Sequence, residues 1–306
     1  MELATVEYIT VIDEPVLEKP TLVAAFAGWP DAGEVATGAV RYLRDKLEAT
    51  LFAELRPEEF YVFTEQRPQT SLGENPWERR ITWPANRFYA WKGMGEAPDL
   101  VLFLGIEPHL KWAGFVDSIL DLAQERSVAR VISLGGTLDG VPHTKEPPIS
   151  GASSDPDLRD IFRFLSIHPS GYEGPTSIHS ALLDACNRRG LPNASLWGHA
   201  PLYLQSTPNP RVSYALLRRL VSILNLPLDL EDIREASASF DRQVDEAVAK
   251  NPELQQYVKQ LEDALEKAEE SAEELPSPEA FVKDLEEYLR RRGKERGNGG
   301  DRGPDS

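Results

Sequence analysis

An α/β fold, with a central, mainly parallel sheet flanked by helices and an α-helical C-terminal appendage, is the class this sequence predicts. Three observations carry it. Residues 22–27 are an unbroken apolar run, as a strand covered on both faces requires. Val35, Ala36, Ala39, Val40, Leu43 and Leu47 then recur at helical spacing. The alternation repeats with an apolar run at 100–104, an amphipathic stretch at 112–125 and a second apolar run at 131–134. Short turns between such segments imply parallel strands joined by right-handed crossovers.

The elements follow in order. Gly28-Trp29-Pro30-Asp31-Ala32-Gly33 closes the first strand with a tight turn. Its glycines permit backbone shapes closed to other residues, and Asp31 is placed to cap the next helix, with Glu34 as reciprocal partner in a capping box. Residues 60–64, 80–83 and 88–91 read as strands in which polar and aromatic residues partly alternate. The run at 131–134 is expected to end at Gly135-Gly136, and 139–156, rich in Pro and Ser, reads as a long functional loop. A helix over 176–189 stopped by Gly190, a short strand at 194–197 and a helix over 211–224 complete an α/β domain assigned to residues 1–227.

From residue 228 the composition changes. Residues 229–289 hold 19 acidic and 6 basic side chains, most of the net charge of -17. Ile233, Phe240, Val244 and Val248 mark one amphipathic helix, Leu254, Tyr257, Val258, Leu261 and Leu265 a second, and Phe281, Leu285, Tyr288 and Leu289 a third. This acidic appendage is assigned to 228–292, and the polar, Gly-rich 293–306 reads as a disordered tail. The charge argues against nucleic acid, which needs clustered Lys and Arg; 290–296 is basic but reads as a solvated helix end. One cysteine, no secretory pattern at the N-terminus and no apolar run of membrane-spanning length make a cytoplasmic protein without membrane contact the expectation.

Ligands of open α/β sheets bind beyond the carboxyl ends of the strands, and four such segments carry polar residues. They hold Trp29 and Asp31; Glu107 and His109; Thr137, Asp139 and His143; and His199 in Gly198-His199-Ala200-Pro201. Trp29, Asp31, Glu107, His109, Thr137, Asp139 and His143 are the ligand-rim candidates. Glu107 with His109, or Asp139 with His143, has the composition of a general acid/base pair. The preferred alternative is that both sets cap helices and satisfy turn backbones, since no nucleophile lies in a recognised setting. No catalytic residue is assigned. Cys186 shares an apolar helix face with Ile178 and Leu182 and reads as core. Five scattered histidines predict no metal, and no cofactor motif is present. Gly174, Thr176 and Ser177 precede a helix and are candidates for anion binding. Glu173 opposes it, and an ordinary N-cap at Thr176 or Ser177 is the preferred reading.

Five motifs in order resemble the PAC2 (proteasome assembly chaperone 2) family in its actinobacterial form. They are Gly28 to Gly33 as written above; Gly105-Ile106-Glu107-Pro108 with Trp112; Leu134-Gly135-Gly136-Thr137-Leu138-Asp139-Gly140-Val141-Pro142-His143-Thr144; Tyr172-Glu173-Gly174-Pro175-Thr176-Ser177-Ile178; and Pro208-Asn209-Pro210. The resemblance covers roughly residues 5–225. It implies a fold similar in outline to nucleoside phosphorylases, self-association into a small ring, a trimer, and a non-enzymatic, chaperone-like or scaffold role with proteasome subunits or another protein as partner. The rival expectation is a binding protein or enzyme for a nucleoside, nucleotide or phosphate at the strand-end rim, and a third is that the acidic appendage is the functional part, as a lid over that rim or a regulator of assembly.

Overall fold

The computed structural model describes residues 8–75, 77–205 and 208–273. In chain order the elements are β1 (Ile9–Val11), β2 (Thr21–Ala27), α1 (Val35–Lys46), β3 (Thr50–Leu55), β4 (Gln69–Leu72), β5 (Arg79–Thr82), β6 (Asn86–Trp91), β7 (Leu100–Ile106), α2 (Trp112–Glu125) and β8 (Arg130–Asp139). They continue with β9 (Ile149–Ser153), α3 (Pro156–Phe164), β10 (Ile167–Pro169), α4 (Ile178–Arg188), β11 (Asn193–Pro201), α5 (Pro210–Leu224), α6 (Glu231–Ala249) and α7 (Pro252–Glu273).

Nine strands form one sheet in the order β1-β3-β6-β7-β2-β8-β11-β9-β10, and β4 and β5 make a separate hairpin. The central strands β7, β2, β8 and β11 run parallel, and antiparallel pairs flank them at β6–β7 and β11–β9. β2 is apolar from Leu22 to Ala27 because both its faces are covered. Val23 and Ala25 enter a core with α1 and α5, while Leu22, Ala24 and Phe26 enter a second core with α2 and α4. Cys186 lies in that second core beside Ile178 and Leu182, and burial pushes its thiol up to about 12.

Three sequence expectations are corrected. Residues 60–64 form turns instead of a strand. Phe60 is a fully buried plug packed edge-on against Phe115, and the Tyr61 hydroxyl bonds Asn86 Oδ1 and the Ile106 carbonyl, each at 2.7 Å. β8 runs straight through Gly135-Gly136, because both glycines answer close approach and not chain reversal. A Cβ on Gly135 would stand 2.6 Å from the Trp197 ring, and one on Gly136 2.4 Å from Val35. The long loop after Asp139 contains β9, which joins the sheet between β11 and β10.

The chain divides into two compact units, the first running through Val258 and the second from Lys259. α6 belongs to the first unit: it packs on α5, buries Ile233 and Val244, and its Asp232 pairs with Lys46 at 2.5 Å. The third appendage helix and the polar tail expected from the sequence lie outside the described residues. Among the described residues, no helix is long and apolar enough to cross a membrane.

Candidate functional site

Period-two alternation on three adjacent strands builds a polar wall. β11 sends Ala194, Leu196 and Ala200 into the α1/α5 core, so Ser195, Trp197 and His199 point to the opposite face. The register sets Ser150 beside Trp197 and Ala152 beside Ser195 from β9, and Thr137 beside His199 from β8. A cavity of about 560 Å³ lies on this face. Trp29, Leu138, Tyr172, Pro175, Leu183 and Trp197 give it apolar and aromatic surface; Thr137, Ser150, Ser170, Ser177, Ser180, Ser195 and His199 give it neutral polar groups. Among the described residues that line it, Asp139 is the one acidic side chain, and Lys and Arg are absent.

Within that wall three side chains form a hydrogen-bonded chain. Ser150 Oγ lies 2.8 Å from His199 Nε2, and His199 Nδ1 lies 2.7 Å from Asp139 Oδ2. An Nδ1 proton directed to the carboxylate leaves Nε2 as acceptor for the serine hydroxyl, the tautomer a general base requires. His199 is one-fifth exposed and Asp139 about half. His179, from the first turn of α4, also lines the cavity. Its ring packs edge-on to Phe26 and Trp197, both centroids at 5.0 Å, and neither ring nitrogen has a hydrogen-bond partner. Burial pushes this imidazole down to about 3, so it is neutral at pH 7.

The family model described as PAC2 family matches residues 25–248, which span this cavity and α6. The chain belongs to the PAC2 family. It is 38% identical to a PAC2 family protein from Streptomyces avermitilis, covering 78% of this chain and 99% of that one with a TM-score of 0.70. A Mycobacterium tuberculosis proteasome-assembly chaperone homologue is 33% identical, with the same coverage and TM-score. A second M. tuberculosis protein, of unknown function, is 26% identical over 89% of this chain and 94% of its own, with a TM-score of 0.78. No curated protein matches.

The residues singled out in this PAC2 chain from sequence separate into two groups. Trp29, Thr137, Asp139 and Ser177 reach the cavity. Asp31, Glu107, His109 and His143 do not, and each is taken up elsewhere. Asp31 Oδ1 accepts the Ala36 and Thr37 N–H groups at 2.8 and 3.2 Å, and its other oxygen accepts the Thr37 hydroxyl. It caps α1 from beyond an intervening one-turn helix, so the capping box with Glu34 is corrected. Glu34 instead sits at the α1 N-cap in a left-handed conformation, φ 49°, and pairs with Arg41 at 2.5 Å. Burial raises the Asp31 carboxyl above the usual carboxylate range, against the lowering effect of those donors.

The two candidate acid/base pairs, neither of them the preferred reading, do not form among the described residues. Glu107 Oε1 accepts the Ile178 N–H at 2.9 Å at the start of α4, and burial raises its carboxyl too. His109 Nδ1 accepts the Val62 N–H at 3.1 Å. His143 is buried: Nδ1 lies 2.6 Å from the Tyr203 hydroxyl and Nε2 3.1 Å from Asp245 of α6, which ties α6 to the loop after β8. Asp139 takes His199 as its partner. At Gly174, Thr176 and Ser177 the helix start already holds the carboxylate of Glu107, and Ser177, at the N-cap position, makes no side-chain cap bond. The first free donor of α4 is thus matched by a group from β7's end, which removes the reason to expect an exogenous anion there.

Ser150 and His199 were legible only as positions of no assigned role. Their signal is the alternation Ala194, Ser195, Leu196, Trp197 extended through His199 to Pro201, and the same two-residue period from Ile149 to Ser153. Among the described residues, no group of three or more His, Cys, Asp or Glu side chains converges to hold a metal ion.

Proposed function

We propose that this PAC2 protein is a chaperone-like factor in proteasome-related assembly that self-associates into a small ring, a trimer, and binds proteasome subunits through protein surfaces. The M. tuberculosis relative, a proteasome-assembly chaperone homologue 99% covered by the match, supports the role. The observation in this chain that carries it is the β4–β5 hairpin. It stands outside the nine-stranded sheet, every residue of both strands is exposed, and it displays Leu72, Trp77, Ile81 and Trp83, with Trp77 91% exposed. Phe63 meets Trp83 edge-on at 5.0 Å and fixes the base of the arm. Exposed aromatic clusters of this kind serve protein contact.

Native mass spectrometry of the full chain, alone and with proteasome α subunits, tests the proposal. A threefold mass that falls to one on Trp77→Ser with Ile81→Ser, and capture of α subunits at micromolar concentration, is the expected result. A monomer that captures none removes it. The cavity favours a second reading, small-molecule binding at the strand-end rim, since its volume suits a small ligand. With no Lys or Arg among the described residues of the walls, the class it supports is uncharged, in place of a nucleotide or phosphate. A thermal-shift screen of neutral aromatic compounds against nucleotides separates the two classes.

A further inference from the structure

We propose that Ser150 is the nucleophile of an acyl-transfer site, with His199 as general base and Asp139 as its positioning residue, and that the substrate class is a neutral carboxylic ester carrying an aromatic or branched apolar group. The geometry carries the assignment. A serine oxygen 2.8 Å from Nε2 and a carboxylate 2.7 Å from Nδ1 of the same imidazole satisfy both contacts that activate a weak nucleophile. The three residues come from three neighbouring strands, so their spacing is set by sheet register and not by loop conformation. Ser150 opens on a cavity, where a purely structural hydrogen bond would be covered.

The lining sets the substrate class. The absence of Lys and Arg leaves a phosphate or carboxylate substrate without a counter-charge, whereas Trp29, Tyr172 and Trp197 offer flat apolar surface.

The chemistry needs only water besides the ester. Ser150 Oγ attacks the carbonyl carbon while its proton moves to His199 Nε2. Collapse breaks the bond to the alkoxide, which leaves as the alcohol after taking that proton. Water then attacks the acyl-serine, His199 accepting its proton, and the carboxylic acid departs as the proton returns to Ser150.

The test uses the full chain with an alkyl fluorophosphonate, followed by intact-mass measurement and peptide mapping, and with p-nitrophenyl butyrate. One adduct on Ser150 is expected, lost in Ser150→Ala and at least 100-fold slower in His199→Gln. Asp139→Asn should slow labelling at least tenfold and move the midpoint of its pH–rate profile to lower pH, which loss of a purely structural contact would not do. Ser150→Cys keeps the side-chain shape and guards against a folding defect; its alkylation by iodoacetamide at pH 6 should exceed that of a free thiol and depend on His199. Adducts spread over several serines, equal labelling in His199→Gln, or labelling without butyrate turnover above the Ser150→Ala background overturn the proposal. It rests on the small-molecule reading of the cavity, and the two fail separately. A neutral aromatic ester that raises the melting temperature without being hydrolysed leaves binding intact and refutes acyl transfer.

Discussion

Two stretches of the same strand-end edge use the same residue types for opposite purposes. After β2 and β7, the carboxylates of Asp31 and Glu107 turn back into the protein and take backbone N–H groups at the starts of α1 and α4. After β8, Asp139 turns toward His199, which holds Ser150 at the wall of a cavity. The difference is one of surroundings. Asp31 lies just ahead of the helix it caps, and Glu107, at the end of β7, reaches across to the start of α4, which follows β10; each has a helix start with free donors within reach. β8 instead leads into a long connection and β9, and no helix start competes for Asp139. Asp139 Oδ1 accepts only the N–H of its neighbour Gly140, at 2.7 Å, which leaves Oδ2 to orient an imidazole. α4 joins the regions: Glu107 holds its first N–H, and its next residue, His179, forms part of the cavity wall.

The largest expected effect is acid destabilisation through His179. Its pKa is about 3 in the folded chain against an ordinary 6.5, so the unfolded chain binds the proton first. The stability due to the neutral ring is complete above about pH 6.5 and is lost as pH falls toward 3, by about 1.4 kcal/mol per pH unit. Asp31 and Glu107 work in the other direction. Their carboxyls are raised in the fold, so protonation occurs there before it occurs in the unfolded chain, and their contribution falls as pH rises through the folded values. His179→Phe should therefore flatten urea-unfolding stability between pH 6 and 4, with a gain over the parent of about 3 kcal/mol at pH 4 and little loss at pH 7. Parallel pH profiles for the two chains would place the acid sensitivity elsewhere.

Next in size is Asp31→Ala, expected to cost about 2 kcal/mol. Asp31 is buried, and its removal strands the Ala36 and Thr37 N–H groups, a larger loss than the single cap that a capping box would imply. Asp31→Asn keeps an acceptor and removes a charge that burial disfavours, so it should cost clearly less. Chemical denaturation of both variants measures the gap. Equal costs would mean that the charge and not the cap holds α1.

The sequence makes the first region more legible than the second, for a physical reason. Residues 22–27, 100–104, 112–125 and 211–224 are predicted where β2, β7, α2 and α5 lie, because elements buried on a continuous apolar face must carry that face in their composition. β9, by contrast, is Ile149-Ser150-Gly151-Ala152-Ser153, with one large apolar side chain and low strand propensity; it is a strand because β11 and β10 pair with it. The triad therefore escapes detection twice. Ser150 hides in an apparent loop, and His199 falls past the apparent end of a strand that continues to Pro201. The strand expected at 60–64 errs in the other direction, since Phe60 and Tyr61 are buried as plugs from a turn and need no strand to explain them. The capping role of Asp31 was legible as a role while its geometry was not, because the intervening one-turn helix depends on the left-handed Glu34.

Glu107→Ala should cost about 1 kcal/mol, the usual worth of one helix N-cap. Glu107 is partly buried and satisfies one donor, where Asp31 satisfies three groups. Glu107→Gln should be nearly neutral, since burial already disfavours the charged form. Because α4 carries His179, its first turn should also exchange amide hydrogen faster in Glu107→Ala than in the parent, while α1 exchange stays unchanged. Faster exchange in both helices would show that the two caps are not independent.

The smallest effect is expected at Ser150→Ala, at most about 0.5 kcal/mol. The hydroxyl gives up one partly buried hydrogen bond, but His199 Nε2 is then left facing a cavity that admits water, so no buried group is orphaned. The methyl group that remains fits beside Trp197 without a new void. Asp31 and Ser150 thus differ in stability cost although both bond at similar distances, because one partner set is sealed inside the fold and the other opens on solvent. Equilibrium unfolding of the two alanine variants side by side reads this contrast. A Ser150→Ala cost equal to that of Asp31→Ala would make the Ser150–His199–Asp139 chain a structural strut, and would remove the distinction between a saturated carboxylate and one held in reserve for chemistry.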